Sequence, residues 1–277
     1  MMSGTEPLPP ALALALDASA ARRGAFGDPA YFYSQATSTN TIAAALAERG
    51  AAEGTTVIAT AQSAGRGRLG REWFSPAGAG LYTSVVCRSA RAAPLLTLAG
   101  GVAVADGIRR ATGLPVQIKW PNDIVVEQGG GAAQRRKLAG ILAEASSGGD
   151  GLQYVVLGFG INMSPAAYPP DIADRASSVE AELGRRADAG AVLAETLASL
   201  SGAIGALERG ATSEVLERWR ALAPSSVGSP VEWDTAAGPV SGTAAGVDED
   251  GALLVRVGGR IERVISGELR WGFKPCF

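Results

Sequence analysis

The chain has 277 residues, 47% of them hydrophobic and 19% charged, and its formal net charge is −2. This composition is typical of a folded protein with a sizeable core, and the acidic balance disfavours a protein that mainly grips nucleic acid. The sequence contains no histidine, which excludes Ser-His-Asp and Cys-His catalysis and metal sites built on histidine. Its two cysteines, Cys87 and Cys276, are too few for a disulfide framework or for a zinc site made of four cysteines.

The sequence also lacks the marks of membrane targeting. No apolar run approaches the roughly 20 residues that a membrane span requires. Residues 11–16 (ALALAL) are apolar, but they follow Glu6 and three prolines rather than the basic segment of a signal peptide. We therefore expect a cytoplasmic protein with no membrane partner.

Residues 1–30 are expected to be a flexible segment, although residues 10–23 have a helical composition. A strand is predicted at residues 31–34, and an alanine-rich helix at residues 41–50 follows a cluster of capping residues. Further strands are predicted at residues 55–61, 81–87, 116–119, 124–127, 138–145 and 152–161. Further helices are predicted at residues 94–112, 188–208 and 212–222.

After Pro224 the pattern changes to short strands separated by turn residues such as Asp250-Gly251. These strands are predicted at residues 227–233, 239–247, 252–257 and 260–265. We interpret the chain as an α+β protein with a mixed or antiparallel sheet and helices in a main domain, residues 31–223. A small β-barrel at residues 224–277 follows it.

Three glycines alternate with three arginines in residues 62–71, which we call the glycine-arginine loop. Glycine lets backbone N–H groups approach a ligand, and arginine suits carboxylate and phosphate, so the loop is predicted to bind an anion. Gly65, Gly67 and Gly70 match the dinucleotide-binding spacing G-x-G-x-x-G. However, no helix opens after them and no acidic residue stands about 20 positions on, which disfavours that reading. A solvated basic turn is the simpler alternative.

Three further stretches place polar groups at strand ends. Lys119, Asn122 and Asp123 lie together at a predicted strand junction, where they indicate a site or an ordinary turn with a surface ion pair. Lys137 opens an apolar run, so it is either a snorkelling strand-start lysine or a partly desolvated ammonium that acts strongly on an anion. Glycines within the segment 158–162, which ends at Asn162, indicate close approach of a ligand or of another backbone.

These stretches, preceded by Ser38-Thr39-Asn40, resemble the biotin protein ligase family. The family carries an STN start, a GRGRxGR loop and the segments KWPND, KL(A/G)GIL and G(I/F)GIN, and all five occur here. The resemblance covers residues 31–163. It extends weakly to residues 242–253, which look like the family's SH3-like C-terminal domain, and it implies a class II synthetase-like catalytic domain.

The resemblance implies a two-step reaction with ATP and biotin as substrates and Mg²⁺ as metal. The biotin carboxylate attacks the α-phosphate of ATP, which gives biotinyl-5′-AMP and pyrophosphate. A lysine of the biotin carboxyl carrier protein of acetyl-CoA carboxylase, or of a related carboxylase, then attacks the mixed anhydride. Both steps concentrate negative charge, so electrostatic stabilisation is the main catalytic need.

Residue roles follow by position from the resemblance. Lys137 and Arg68 are expected to stabilise charge, and Asp123 to orient or deprotonate the acceptor lysine or to organise Mg²⁺ and phosphate. The residues expected to bind biotin are Ser38, Thr39, Asn40, Gln62, Arg66, Gly67, Arg68 and Lys137. The residues expected to contact the nucleotide are Arg68, Arg71, Trp73, Lys119, Asn122, Lys137 and Asn162. A loop covering the adenine is expected between Asn162 and about residue 174.

Two departures from the family pattern bear on function. The 37 residues before Ser38 lack two helices and a wing, so the DNA-binding domain of the repressor-type members is not expected. The glycine-rich stretch between Asp123 and Lys137 is expected to be a disordered insertion with a flexible tip at residues 129–134. Lipoate-attaching enzymes are the nearest alternative, but they typically use a histidine-containing motif. A nucleic-acid binder that uses the loop arginines is the alternative from another class.

Overall fold

The structure, a computed structural model, describes residues 5–127, 135–149, 151–235, 238–267 and 269–272. The loop tip predicted at residues 129–134, Cys276 and the first four residues of the expected flexible segment lie outside these ranges.

A mixed seven-stranded sheet forms the centre of the larger part of the chain. Its strands are β1 (Ala30–Tyr33), β2 (Thr56–Ala59), β3 (Gly80–Cys87), β4 (Gln117–Lys119), β5 (Asp123–Glu127), β6 (Arg135–Gly148) and β7 (Gly151–Asn162). Their order across the sheet is β1-β2-β3-β7-β6-β5-β4. The pair β1 and β2 is parallel and the other neighbours are antiparallel, so the predicted α+β class with a mixed sheet is confirmed.

The helices cover the two faces of this sheet differently. They are α1 (Pro10–Arg23), α2 (Thr39–Glu48), α3 (Leu96–Thr112), α4 (Val179–Leu183), α5 (Ala189–Glu208) and α6 (Thr212–Leu222). Side chains alternate between the faces along a strand, so Val155 and Leu157 of β7 join the core under α3 and α5, whereas Tyr154 and Val156 join the core under α2. The second face leaves room beside α2 for a pocket.

Helix α1 lies inside the segment that the sequence suggested would be flexible. Leu12 and Leu16 are buried against α5, and the guanidinium of Arg22 pairs with Glu195 at 2.6 Å. The buried Arg23 donates to the carbonyls of Leu16 and Phe26. The expected flexibility of residues 1–30 is therefore wrong for residues 10–23, because the apolar stripe of α1 finds a partner far along the chain.

Helix α5 is the one described helix whose length and composition alone would suit a membrane span. In this fold it is a core helix, since it packs against α1 and α3 and most of its apolar side chains are buried. The carboxylate of Asp188 caps its start by accepting from the backbone N–H groups of Gly190 and Ala191. Core packing accounts for its hydrophobicity.

A five-stranded antiparallel sheet follows α6. Its strands are β8 (Val227–Thr235), β9 (Gly238–Val247), β10 (Leu253–Val257), β11 (Arg260–Val264) and β12 (Leu269–Trp271), in the order β11-β10-β9-β8-β12. The sequence predicted four of them and missed β12, which is only three residues long. The indole N–H of Trp120 donates to the carbonyl of Gly251 at 3.1 Å and fixes this sheet against the main one.

Some element boundaries differ from the prediction. Strand β6 begins at Arg135, which is paired with Glu127 of β5 at 2.8 Å, so Arg135 and Arg136, which were expected in the glycine-rich loop, belong to the sheet. Helix α2 begins at Thr39 rather than at residue 41, which places two predicted site residues within its first turn. Helix α4 was not predicted, because its five residues are too few for a periodic pattern.

Candidate active site

A cavity of about 690 Å³ opens beside α2 on the second face of the sheet. Its volume lies within the range of about 300–1,000 Å³ that is common for small-molecule sites. Every residue that the sequence nominated lines it: Ser38, Thr39, Asn40, Gln62, Arg66, Gly67, Arg68, Arg71, Trp73, Lys119, Asn122, Asp123, Lys137 and Asn162. Stretches that lie far apart in the chain therefore meet at one place.

The floor of the cavity is a patch of sheet without side chains. Gly140 of β6 and Gly160 of β7 are cross-strand partners, and the indole of Trp73 lies on both of them. A Cβ atom at Gly160 would stand 2.8 Å from Cε2 of Trp73, and one at Gly140 would stand 2.9 Å from Cζ3. At Gly158 it would collide with the amide of Asn40. The predicted close approach in this strand is thus made by protein side chains.

One end of the cavity is a network of neutral hydrogen-bonding groups. Gln62 Oε1 accepts from the backbone N–H of Thr39 at 2.8 Å, and Gln62 Nε2 donates to the hydroxyl of Ser75 at 3.0 Å. The hydroxyl of Ser84 donates to Asn40 Oδ1 at 2.5 Å and lies 2.8 Å from Thr39 Oγ1. These buried amides and hydroxyls suit a polar, uncharged group such as a urea-like ring.

The other end of the cavity carries the charge. Lys137 Nζ lies 2.5 Å from Asp123 Oδ1, and Lys119 Nζ lies 4.0 Å from Asp123 Oδ2. Arg68 Nη1 donates to Asn122 Oδ1 at 3.2 Å, and burial lowers the pKa of Arg68 while the nearby Asp123 carboxylate opposes the shift. The arginine stays protonated nonetheless. Three cations converge on one carboxylate, which leaves an excess of positive charge for an anionic substrate.

Lys137 has features of both alternatives that the sequence left open, a snorkelling strand-start lysine and a partly desolvated ammonium. Its side chain is 35% exposed, so it is partly desolvated as predicted. Its ammonium also lies 5.0 Å from the centre of the Trp73 ring, within cation–π distance. The backbone N–H of Lys137 donates to the carbonyl of Arg175, so a second segment fixes this point of β6.

The segment of residues 168–176 covers the cavity and supplies lining residues that were not predicted individually from the sequence. Tyr168 contacts Phe74 edge-on, and its hydroxyl donates to the carbonyl of Ser177 at 3.0 Å. The buried Asn162 donates to the same carbonyl at 2.9 Å. Burial raises the pKa of Tyr168, so its hydroxyl remains a donor. The further lining residues that were missed include Tyr82, Asp171, Ile172, Arg175 and Leu269.

Asp123 is the acidic side chain that stands among the cations of the cavity. Within the described ranges no group of three or more histidine, cysteine, aspartate or glutamate side chains could hold a metal ion. Mg²⁺ needs no such cage when a nucleotide is bound, because it uses one or two carboxylates together with substrate phosphates. The donor set therefore fits Mg²⁺ that arrives on a polyphosphate.

Comparison with known proteins agrees with this geometry. Residues 31–162 match the biotin/lipoate A/B protein ligase family, and residues 227–269 match the biotin protein ligase C-terminal domain. The fold and the cavity thus define a protein ligase of the biotin and lipoate class. Curated relatives and solved structures narrow this class.

The bifunctional ligase/repressor BirA of Bacillus subtilis is 31% identical over 251 residues, which are 89% of this chain and 75% of the relative. The biotin--[acetyl-CoA-carboxylase] ligase of Mycobacterium tuberculosis is 35% identical over 245 residues, 85% and 86% of the two chains. The biotin protein ligase of Aquifex aeolicus, solved in complex with biotin and ATP, superposes with a TM-score of 0.73 at 26% identity. That match covers 87% of this chain and 97% of the other. The chain belongs to the biotin protein ligase family.

Proposed function

We propose that this chain is an ATP-dependent biotin protein ligase that forms biotinyl-5′-AMP and transfers biotin to a lysine of a biotin carboxyl carrier protein. The observation that carries the proposal is the cavity with a neutral polar end near Gln62 and a cationic end near Lys137. Biotin has the same division, with a ureido ring at one end and a carboxylate at the other. Bound with its ring at the neutral end, biotin would direct its carboxylate towards the cations.

In the first step a bond forms between a carboxylate oxygen of biotin and the α-phosphorus of ATP, and pyrophosphate leaves. Arg68 and Lys137 would hold the carboxylate and the α-phosphate against their mutual repulsion. Positive groups that are fixed before the reaction stabilise the charge of the transition state without reorganisation. Asn122 supports this role, because it donates to the carbonyl of Ile141 at 2.7 Å while accepting from Arg68, and so fixes the guanidinium.

In the second step the ε-amine of the acceptor lysine attacks the carbonyl of the mixed anhydride, an amide forms and AMP leaves. The amine must lose a proton, and the chain has no histidine to take it. Asp123 is the carboxylate that lies beside Lys137 and Lys119. Substrate phosphates would compete for Lys137 and Lys119, and this would release Asp123 to orient the incoming amine or to accept its proton.

Bound to the nucleotide, Mg²⁺ would neutralise phosphate charge, and holding this ion is the alternative role for Asp123 to acting on the acceptor amine. Trp73 and Tyr168 would enclose the nucleotide between an indole and a phenol ring. Lys119, Arg71 and Asn162 would line its phosphate and ribose side.

We further infer that residues 5–37 carry no DNA-binding module. Among them α1 is the only helix described, and its apolar face is already buried against α5. The acidic net charge also disfavours binding to the backbone of DNA. A fluorescence anisotropy titration with duplex DNA at low salt would contradict this inference if it detected binding that biotinyl-5′-AMP strengthens.

We expect the protein to act in the cytoplasm, where ATP and the acceptor occur.

The test of the proposed function uses the purified chain with ATP, Mg²⁺, biotin and a recombinant biotin carboxyl carrier domain. Labelling should appear on an avidin blot, and it should require ATP and the acceptor lysine. Parallel reactions with lipoate and with octanoate, read by intact-protein mass spectrometry, test the neighbouring activity of the same fold. Transfer of lipoate or octanoate without transfer of biotin would overturn the assignment.

A further inference from the structure

Glu144 is the single charged residue in the apolar run of residues 138–145. Residues alternate along β6, so Glu144 projects from the same face as Gly140 and Leu142, which both line the cavity. Glu144 itself does not line that cavity. It lines a neighbouring one of about 250 Å³, which shares the side chains of Asn40 and Arg66 with the main cavity.

One oxygen of Glu144 joins two parts of the site. Oε2 accepts from Arg66 Nη2 at 2.5 Å and from Asn40 Nδ2 at 2.6 Å. Asn40 is buried, and its other amide atom accepts from Ser84. Both amide atoms of Asn40 are therefore engaged within the protein. Asn40 therefore connects Glu144 with the polar end of the cavity, and its amide keeps a second N–H and a second lone pair beyond these two bonds.

The glycine-arginine loop is bonded mainly to itself. Gly67 N–H donates to the carbonyl of Arg71 at 2.7 Å, Trp73 N–H donates to that of Gly65 at 2.9 Å, and the backbones of Arg66 and Glu72 form an antiparallel bridge across the loop. The base of the loop is held by the bond between Gln62 and Ser75 and by the backbone N–H groups of residues 63 and 64, which donate to the carbonyls of residues 36 and 37. Further out, Arg68 bonds to Asn122, and the Arg66–Glu144 pair ties the loop to β6.

We propose that Glu144 is a positioning residue that holds the glycine-arginine loop closed through Arg66. The inference rests on the proposed function, because the closed loop is what places Arg68 at the reacting carboxylate and phosphate. Glu144 need not touch substrate for this. Its charge fixes Arg66, and because Arg66 and Arg68 belong to the same glycine-arginine loop, Arg68 is held in place with it. Asn40 connects the same carboxylate to the polar end of the cavity.

The Arg66–Glu144 pair is modest in strength, so the glycine-arginine loop can both close over a substrate and open to release it. The side chains of Arg66 and Glu144 are 45% and 36% exposed, so the pair shifts the open–closed balance of the loop by a factor of about five. Because the pair is accessible to salt, its contribution falls as the Debye length shortens to about 3 Å at about 1 M NaCl.

The first test needs no ligand and so does not depend on the proposed function. Glu144→Gln keeps the shape and the acceptor for Asn40 but removes the charge, and Glu48→Gln is the matched control. Glu48 is an exposed carboxylate at the end of α2 that accepts from Tyr154 at 3.3 Å. Hydrogen exchange of amides 64–73 in the ligand-free protein should rise about fivefold in Glu144→Gln and stay unchanged in Glu48→Gln. Equal exchange in both variants would overturn the proposal.

The second test measures how fast preformed biotinyl-5′-AMP dissociates, by chasing the labelled adenylate with excess unlabelled compound. Glu144→Gln should release it about fivefold faster than the parent protein at about 0.05 M NaCl, and the two rates should converge at about 1 M. Glu144→Gln and Arg66→Gln should be non-additive in the double variant. A fivefold difference that persists at high salt would overturn the proposal, because it would indicate a structural effect rather than an ion pair. Failure of the parent protein to form the adenylate would instead overturn the proposed function.

Discussion

The substitution Gly160→Ala tests whether the bare floor of the cavity is required for function. Gly160 lies near the C-terminal end of β7 and is covered by the indole of Trp73. The added Cβ would overlap Nε1 of that ring and would also stand 2.8 Å from Cε2, whereas ordinary contacts begin at 3.4 Å. The ring must therefore move by at least 0.6 Å, the difference between these distances, and it cannot move towards the sheet.

The displacement affects catalysis more than stability. Overpacking of this kind lowers the free energy of unfolding by about 1–3 kcal/mol. The Trp73 ring is partly exposed and can swing outwards, so we expect a cost near the lower end of that range. Lys137 lies 5.0 Å from the ring centre, so the movement disturbs the ammonium and the nucleotide end of the cavity together. Misplacement of reacting groups by about 1 Å costs about 100-fold in rate, so we expect a fall of about 10- to 100-fold in kcat/KM.

The assay follows pyrophosphate release with biotin and ATP, together with thermal unfolding of each variant. Gly148→Ala is the matched control, because its new Cβ would meet only the flexible end of Gln153. It should retain full activity. In a Trp73→Ala background, Gly160→Ala should cause no further loss, since the obstructing ring is gone. The reasoning is refuted if Gly160→Ala stays within twofold of the parent enzyme, or if it costs the same in both backgrounds.

Three further outcomes are expected. Lys137→Met should lower the rate of adenylate formation by about 100- to 1,000-fold, the usual cost of removing one preorganised charge donor, while the melting temperature changes little; a near-normal burst of pyrophosphate would contradict this. Arg68→Ala should leave the fold intact and speed the escape of biotinyl-5′-AMP, and unchanged release in a chase experiment would count against its role. The hydrogen bond and charge of Arg22 lower the pKa of Glu195 from 4.5. The pair should therefore stabilise the fold above pH 4.5 and cease to do so as the pH falls through the lowered value. Glu195→Gln should thus lower the free energy of unfolding by up to about 1 kcal/mol at about pH 7, with the difference vanishing in an acid denaturation series below the lowered pKa.

Local patterns in the sequence were enough for most elements of the fold. Apolar runs identified β3, β6 and β7, and long helical stretches, the first opened by Pro94, identified α3 and α5, because these signals arise within a few neighbouring residues. The pattern was insufficient where an element is short, as in α4 and β12. It was also insufficient for α1, whose stability depends on a distant partner: its Arg22 pairs with a glutamate 173 residues further along the chain.

Residue types at strand ends and within the glycine-arginine loop pointed to part of the site, whereas Ser38, Thr39, Asn40 and the individual roles came from the resemblance to the biotin protein ligase family. By itself the sequence determined that the chain would carry fixed positive charge on a permissive backbone, without any histidine. Only the tertiary structure decided that Asp123 pairs with Lys137, that Asn40 turns inwards to Ser84, and that Glu144 holds Arg66. These contacts depend on the strand order β3-β7-β6-β5 and on its register. That order arises from the packing of the whole sheet between two cores, which no local stretch of the chain encodes.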